Sequence, residues 1–176
     1  MSQATTDDPP RAPDVRPAQG HAVLLAGIAL IVVVIDQVTK VLAISQLDTG
    51  SVVSLLGPWL QLRLVRNPGA AFSMGESLTW AFTILAALVV VGVILAAKRV
   101  KTTSWAFTLG LLVGGAAGNL ADRLFRDPGF GRGHVVDFID YAGRFVGNVA
   151  DIAIVGAMVL MVFGVIRGIG LDGVRR

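Results

Sequence analysis

Several ionisable residues stand where apolar sequence surrounds them. Asp36 lies inside a long hydrophobic run, with Lys40 one helical turn further on. Asn119, Asp122 and Arg123 close another such run, Asp137 sits between Val136 and Phe138, and Asp151 opens a third run just after Asn148. Ionisable groups in lipid-spanning segments are costly and point to function by default. Carboxylates held together away from water share a proton, which suits general acid–base hydrolysis. The same groups would also suit proton or ion transport. The chain has no cysteine, which removes thiolate nucleophiles, disulfides and cysteine zinc sites together. His21 and His134 are its only imidazoles and no H-E-x-x-H is present, so neither a metal site nor a cofactor is expected.

Each group also has a purely structural reading. Asp36 and Lys40 form an i, i+4 pair that can neutralise itself. Asn148 and Asp151 have the spacing of a helix capping box, the aspartate lying near the positive helix end. Arg123 shares a helix face with Asn119 and can snorkel to water. Asp127 and Asp140 read as loop acids. Asp137 has no such local explanation.

The elements that must position these groups are membrane helices. Hydrophobic residues make up 54% of the 176-residue chain, charged residues 15%, and mean hydropathy is +0.72. A soluble domain carries about 25% charge, and a chain this short cannot build a core large enough to hide the excess. The expected fold class is an all-α membrane protein, a single domain over 21–168. Its four transmembrane helices fall at about 22–45, 78–97, 105–124 and 149–166. Residues 1–20 read as a disordered tail and 169–176 as a second tail. Lys98, Arg99 and Lys101 form a basic link between the second and third spans, so both termini and that link are expected in the cytoplasm. Dispersed basic residues without interleaved aromatics argue against nucleic acid as a partner.

Between the first two spans, Ser51 to Leu56 and the alternating Leu60 to Leu64 predict a short antiparallel sheet on the outer membrane surface. Gly110, Gly114 and Gly118 recur every fourth residue of the third span and predict close helix packing. At a rise of 1.5 Å per residue, Asp36 lies ~21 Å into its helix, and Asn119 is equally deep in a helix of the same direction. Asp151 opens a helix running the other way. The polar groups therefore meet in one layer, the outer third of the bilayer.

Taken together, five motifs resemble those of lipoprotein signal peptidase, the signal peptidase II family. They are Asp36-Gln37-Val38-Thr39-Lys40, Asn67-Pro68-Gly69-Ala70-Ala71-Phe72, the run from Gly114 to Arg123, Val135-Val136-Asp137-Phe138, and Asn148-Val149-Ala150-Asp151. Their order and placement on a four-helix frame also match, over about Leu24 to Ile166. The resemblance implies an aspartic peptidase of the bacterial cytoplasmic membrane, monomeric and without cofactor. It would act in contact with membrane lipid and near the extracytoplasmic face. The implied substrate is a diacylglyceryl-modified prolipoprotein, cut just before the lipidated cysteine. The resemblance places the catalytic pair on Asp137 and Asp151, and other polar site positions on Asp36, Lys40, Asn67, Asn119, Arg123 and Asn148. The family usually has Phe directly before the Asn of its last motif, where this chain has Gly147.

Two other classes compete. A proton- or ion-coupled transporter needs titratable groups through the membrane, whereas the cytoplasmic halves of these helices contain no carboxylate. A structural four-helix protein leaves Asp137 unexplained. A Ser/Lys peptidase using Lys40 would need a serine outside an ordinary turn or strand, and Ser45, Ser51 and Ser54 offer none.

Overall fold

The computed structural model of the chain describes residues 18–69 and 79–175. Positions 1–17 of the expected N-terminal tail, Ala70 to Phe72 of the second motif, and Leu78 at the expected start of the second span lie outside the described residues. The elements run α1 (Ala18–Gln46), β1 (Val53–Leu56), β2 (Leu60–Asn67), α2 (Thr79–Ala96), α3 (Thr103–Phe125), β3 (Val135–Tyr141), β4 (Phe145–Gly147) and α4 (Val149–Ile166).

All four α-helices are long and apolar enough to cross a bilayer. Helices α1, α2 and α4 are apolar around most of their circumference and leave large side chains such as Leu30, Ile31, Ile84, Leu85, Val162 and Phe163 exposed. Such an exterior suits lipid, because each helix satisfies its own backbone. Helix α3 is the least apolar and by far the most buried, so it is the central post. Its glycines explain how. A Cβ at Gly110 would lie 2.8 Å from Ile28, and one at Gly114 2.7 Å from Val32. At Gly115 it would lie 2.6 Å from the Ala150 carbonyl of α4. The glycine stripe therefore packs backbone on backbone, against α1 on one side and α4 on the other.

The sheet is larger than the sequence predicts. The expected hairpin β1–β2 forms, but β2 continues to Asn67 and pairs with β3, which pairs with β4, giving an antiparallel order β1-β2-β3-β4. The apolar run around Asp137 is thus a central strand. Leu62, Leu64, Phe138 and Ile139 of this sheet pack with Ala43 and Leu47 at the end of α1 and with Val149 at the start of α4. That contact fixes the sheet on the helix bundle. Asp140 is a strand residue and not a loop acid. It is 2% exposed, pairs with Arg63 at 3.1 Å and accepts the Gly143 N–H at 2.7 Å. Opposite the sheet, residues 167–175 turn back under the bundle. Trp105 Nε1 donates to the Ile169 carbonyl at 3.1 Å and Lys101 N to the Leu171 carbonyl at 2.9 Å.

Candidate active site

Asp137 reaches the site from β3. In the β2–β3 register Val65 faces Asp137 and Asn67 faces Val135, so Asn67 and Asp137 are diagonal neighbours on one face. Asn67 Nδ2 donates to Asp137 Oδ2 at 2.8 Å. Asp137 Oδ1 accepts Asn148 Nδ2 at 2.6 Å.

Asp151 comes from the first turn of α4, where the capping box does form. Asn148 Oδ1 accepts the Asp151 N–H at 3.0 Å, and Asp151 Oδ2 accepts the Asn148 N–H at 3.1 Å. Capping does not use up this carboxylate, because Asp151 Oδ1 also accepts Asn119 Nδ2 at 2.9 Å. Asn148 Nδ2 donates to Asn119 Oδ1 as well, at 3.2 Å. Asn148, the N-cap of α4, therefore bonds to both carboxyl groups, through its side chain to Asp137 and its backbone N–H to Asp151, while Asn119 of α3 bonds to Asp151 and to Asn148.

Beneath them lies an ionic layer. Lys40, fully buried, pairs with Asp36 at 2.9 Å and with Asp122 at 2.8 Å, and donates to Asn119 Oδ1 at 3.0 Å. The i, i+4 pair is present, then, but it is part of a network spanning three helices. Asp36 Oδ1 accepts the Ala150 N–H at 3.0 Å, satisfying an orphan donor of the α4 N-terminus. Asp122 Oδ1 accepts Arg126 Nε at 2.6 Å, while its Oδ2 accepts the Val136 N–H at 3.1 Å and so pins β3. Gln37 Nε2 bridges Asp36 and Asp122 at 3.1 and 3.2 Å. Asp122, Gln37 and Arg126 were not among the expected site positions. Asp122 and Gln37 do lie within the quoted motifs, but for Arg126 the only sequence signal was the 122/126 helical spacing, which most surface pairs share.

Arg123 does not snorkel to water. It is buried, its Cζ lies 5.8 Å from the centre of the Phe82 ring, and its Nη1 has no hydrogen-bond partner among the described residues. All eight expected positions thus fall in one cluster: the two carboxyl groups, their asparagines, the ionic layer and this arginine.

Asp137 lies outside the membrane-spanning segments, and burial pushes its carboxyl up to about 6. The Asn67 hydrogen bond opposes that rise, the Asp151 charge adds to it, and Asn148 and the Lys40 charge oppose it. The Tyr141 hydroxyl is also pushed up, by burial and then by the Asp151 charge. Two apolar grooves border the cluster. One, about 540 Å³, runs from Tyr141, Phe145 and Asp151 along Ile152, Val155 and Gly156. Tyr141 and Phe145 stack over its mouth, with ring centres 6.0 Å apart. The ring of Phe145 lies against Gly147, where a Cβ would come within 2.7 Å of it. The other groove, about 220 Å³, runs between α2, α3 and α4 to Asn119 and Arg123.

Four apolar helices, a small sheet and a buried carboxylate cluster at one end define a multi-pass membrane protein built around a polar site. Comparison with known proteins narrows that class. Residues 28–167 match the family model described as signal peptidase (SPase) II, and the chain belongs to that family. The chain is 50% identical over 158 residues to the lipoprotein signal peptidase of Leifsonia xyli subsp. xyli, covering 89% of this chain and 73% of the relative. It is 44% identical over 171 residues to that of Rhodococcus jostii (97% and 86%), and 46% over 153 residues to that of Mycobacterium tuberculosis (87% and 76%). Two solved structures described as a bacterial membrane enzyme superpose with TM-scores of 0.72 and 0.71. Each is 25% identical and covers 84% of this chain, with 94% and 88% of the other chain matched. The chain is therefore a multi-pass bacterial membrane protein and a protease.

Proposed function

We propose that this protein is an aspartic endopeptidase that removes the signal peptide from diacylglyceryl-modified prolipoproteins, cutting just before the lipidated cysteine. The observation that carries the proposal is the bridged pair: Asp137 and Asp151 come from a strand and a helix start, and both bond to Asn148. Buried carboxylates bridged by one residue, the charge of one raising the pKa of the other, resist ionising together and share one proton. The ionised group takes a proton from water as the water attacks the scissile carbonyl. The protonated group polarises that carbonyl and then protonates the leaving amine. The pair titrates as a unit, so the two roles belong to the pair. Asn119 and Asn148 orient it, Lys40 holds Asn119 and Asp36 the α4 terminus in place, and the Nη1 of Arg123, without a partner among the described residues, is a donor for a substrate carbonyl. All these groups come from one chain, consistent with a monomer.

The two grooves fit a substrate with two apolar parts, a signal helix and a pair of acyl chains. With the Lys98–Lys101 link in the cytoplasm, the site lies near the extracytoplasmic face of the cytoplasmic membrane. The sheet then rests on the outer surface, its exposed Leu55, Leu56 and Trp59 towards lipid. Transport has less support, because the buried charges among the described residues lie at one end of the bundle.

The test compares lipidated and unlipidated forms of one precursor. At ~0.8 kcal/mol per buried methylene, even a few methylenes of chain contact give a large preference. The lipidated form should be cut at least about tenfold faster at limiting substrate, and equal rates would sink the proposal.

A pH profile tests the proton inventory. The Asn67 hydrogen bond favours the ionised form of Asp137, so Asn67→Ala should raise the Asp137 pKa further. The pair then keeps its proton to higher pH, and the alkaline limb of kcat/KM should move up by about one unit. A limb that stays put or moves down would show that Asp137 does not belong to the titrating pair.

A further inference from the structure

At the opposite end of α3 and α4 lies a second groove of about 540 Å³. Its walls are Phe107, Leu160 and Phe163, its floor is Trp105 against Gly164, and Arg167 stands at its rim. Arg167 is 16 residues beyond Asp151 along the chain, ~24 Å away at 1.5 Å per residue, so this groove is separate from the cleavage site. It is built rather than incidental. Trp105 is 8% exposed and anchored by its N–H to the Ile169 carbonyl, and a Cβ at Gly164 would lie 3.1 Å from its ring. The lip is the C-terminal turn, closed by Ile169 N to the Gly164 carbonyl at 3.0 Å and by the bridge between Ile169 and Arg175.

The charge at this end is one-sided. Lys98, Arg99, Lys101, Arg167 and Arg175 cluster there, with Asp172 the only acid among the described residues of 97–105 and 164–175. The Arg167 guanidinium is exposed and has no hydrogen-bond or ion-pair partner among the described residues. A cation at the mouth of an apolar channel within a membrane span matches one ligand chemistry, a phosphate ester on an acyl chain. Basic pockets between membrane helices hold anionic headgroups on this principle. We propose that this groove binds one anionic phospholipid, its phosphate on Arg167 and an acyl chain between Phe107, Leu160 and Phe163. The proposal needs only the membrane fold and not the cleavage chemistry.

The test uses the full chain with Trp59→Phe and Trp80→Phe, which leaves Trp105 as sole fluorophore, in nanodiscs containing brominated-chain phosphatidylglycerol or brominated-chain phosphatidylcholine. Phosphatidylglycerol should quench Trp105 at about fivefold lower mole fraction, the discrimination that one cation gives at a membrane surface. Arg167→Gln, an exposed change, should abolish the preference with thermal stability unchanged, whereas Lys98→Gln should keep it. Equal quenching by both lipids in the parent would overturn the proposal. So would Lys98→Gln losing the preference as fully as Arg167→Gln, since diffuse surface charge would then be the cause.

Discussion

Asp137→Asn and Asp151→Asn should each reduce cleavage by on the order of 10⁴-fold, and the double variant should be no slower than either single one. Residues that act on one step as a unit lose the whole step when either is removed. The surroundings sharpen this expectation. Both oxygens of Asp137 accept from asparagine side chains, and both oxygens of Asp151 accept from N–H donors. An amide in either place turns one acceptor towards a donor, so each variant also loses one hydrogen bond, worth ~1–3 kcal/mol. Stability and turnover must therefore be measured on the same purified protein. The capping box gives the competing expectation. If Asp151 only caps α4, its loss costs ~1 kcal/mol of stability and leaves turnover per folded molecule near normal. Normal turnover in a stable Asp151→Asn enzyme would falsify the aspartic mechanism. Membrane insertion and binding of lipidated substrate should survive in both variants, because Asp137 lines neither groove and Asp151 touches only the end of one whose other walls are apolar or aromatic, which an isosteric amide leaves in place.

The helices and the glycine stripe were legible in the sequence because apolar length and four-residue spacing are local signals. Asp137 was legible for a related reason: a carboxylate between Val136 and Phe138 has no local partner to explain it. The pairing of β2 with β3 was not legible, since Asn67 and Val135 meet only after a helical hairpin has folded between them. Without that pairing, the hydrogen bond from Asn67 to Asp137 has no basis beyond family resemblance, and Asp140 looks like a loop acid. The places of Gln37, Asp122 and Arg126 in the site were not legible for the opposite reason. Their spacing resembles ordinary helix-surface pairing, and only the approach of α1 to α3 at Gly118 shows that the pairs are buried. A Cβ at Gly118 would lie 2.5 Å from Asp36 Oδ2, so that glycine admits the ionic layer.

Lys40→Met should be the most destabilising single substitution in the polar layer, by ~3–5 kcal/mol, the usual cost of breaking a buried ion pair by removing one partner. Lys40 has no exposed surface and is the cation shared by Asp36 and Asp122, which are themselves fully buried. Methionine fills much of the same volume, so the loss comes from charge and not from a cavity. Asp122 keeps Arg126, but Asp36 keeps only neutral donors, from Gln37 and the Ala150 N–H. Adding Asp36→Asn to Lys40→Met removes the buried carboxylate left without a cation and should recover part of the stability. Asp36→Asn alone is expected to behave differently from the two catalytic changes. Its oxygens reach Lys40, Gln37 and the α4 backbone and neither Asp137 nor Asp151 directly, so purified enzyme should retain measurable cleavage. Thermal unfolding in one detergent, read beside turnover per folded molecule, separates these expectations. A Lys40→Met protein as stable as the parent would show that the ionic layer is not held by this lysine. Complete loss of cleavage in a well-folded Asp36→Asn protein would move Asp36 from a supporting place into the chemistry itself.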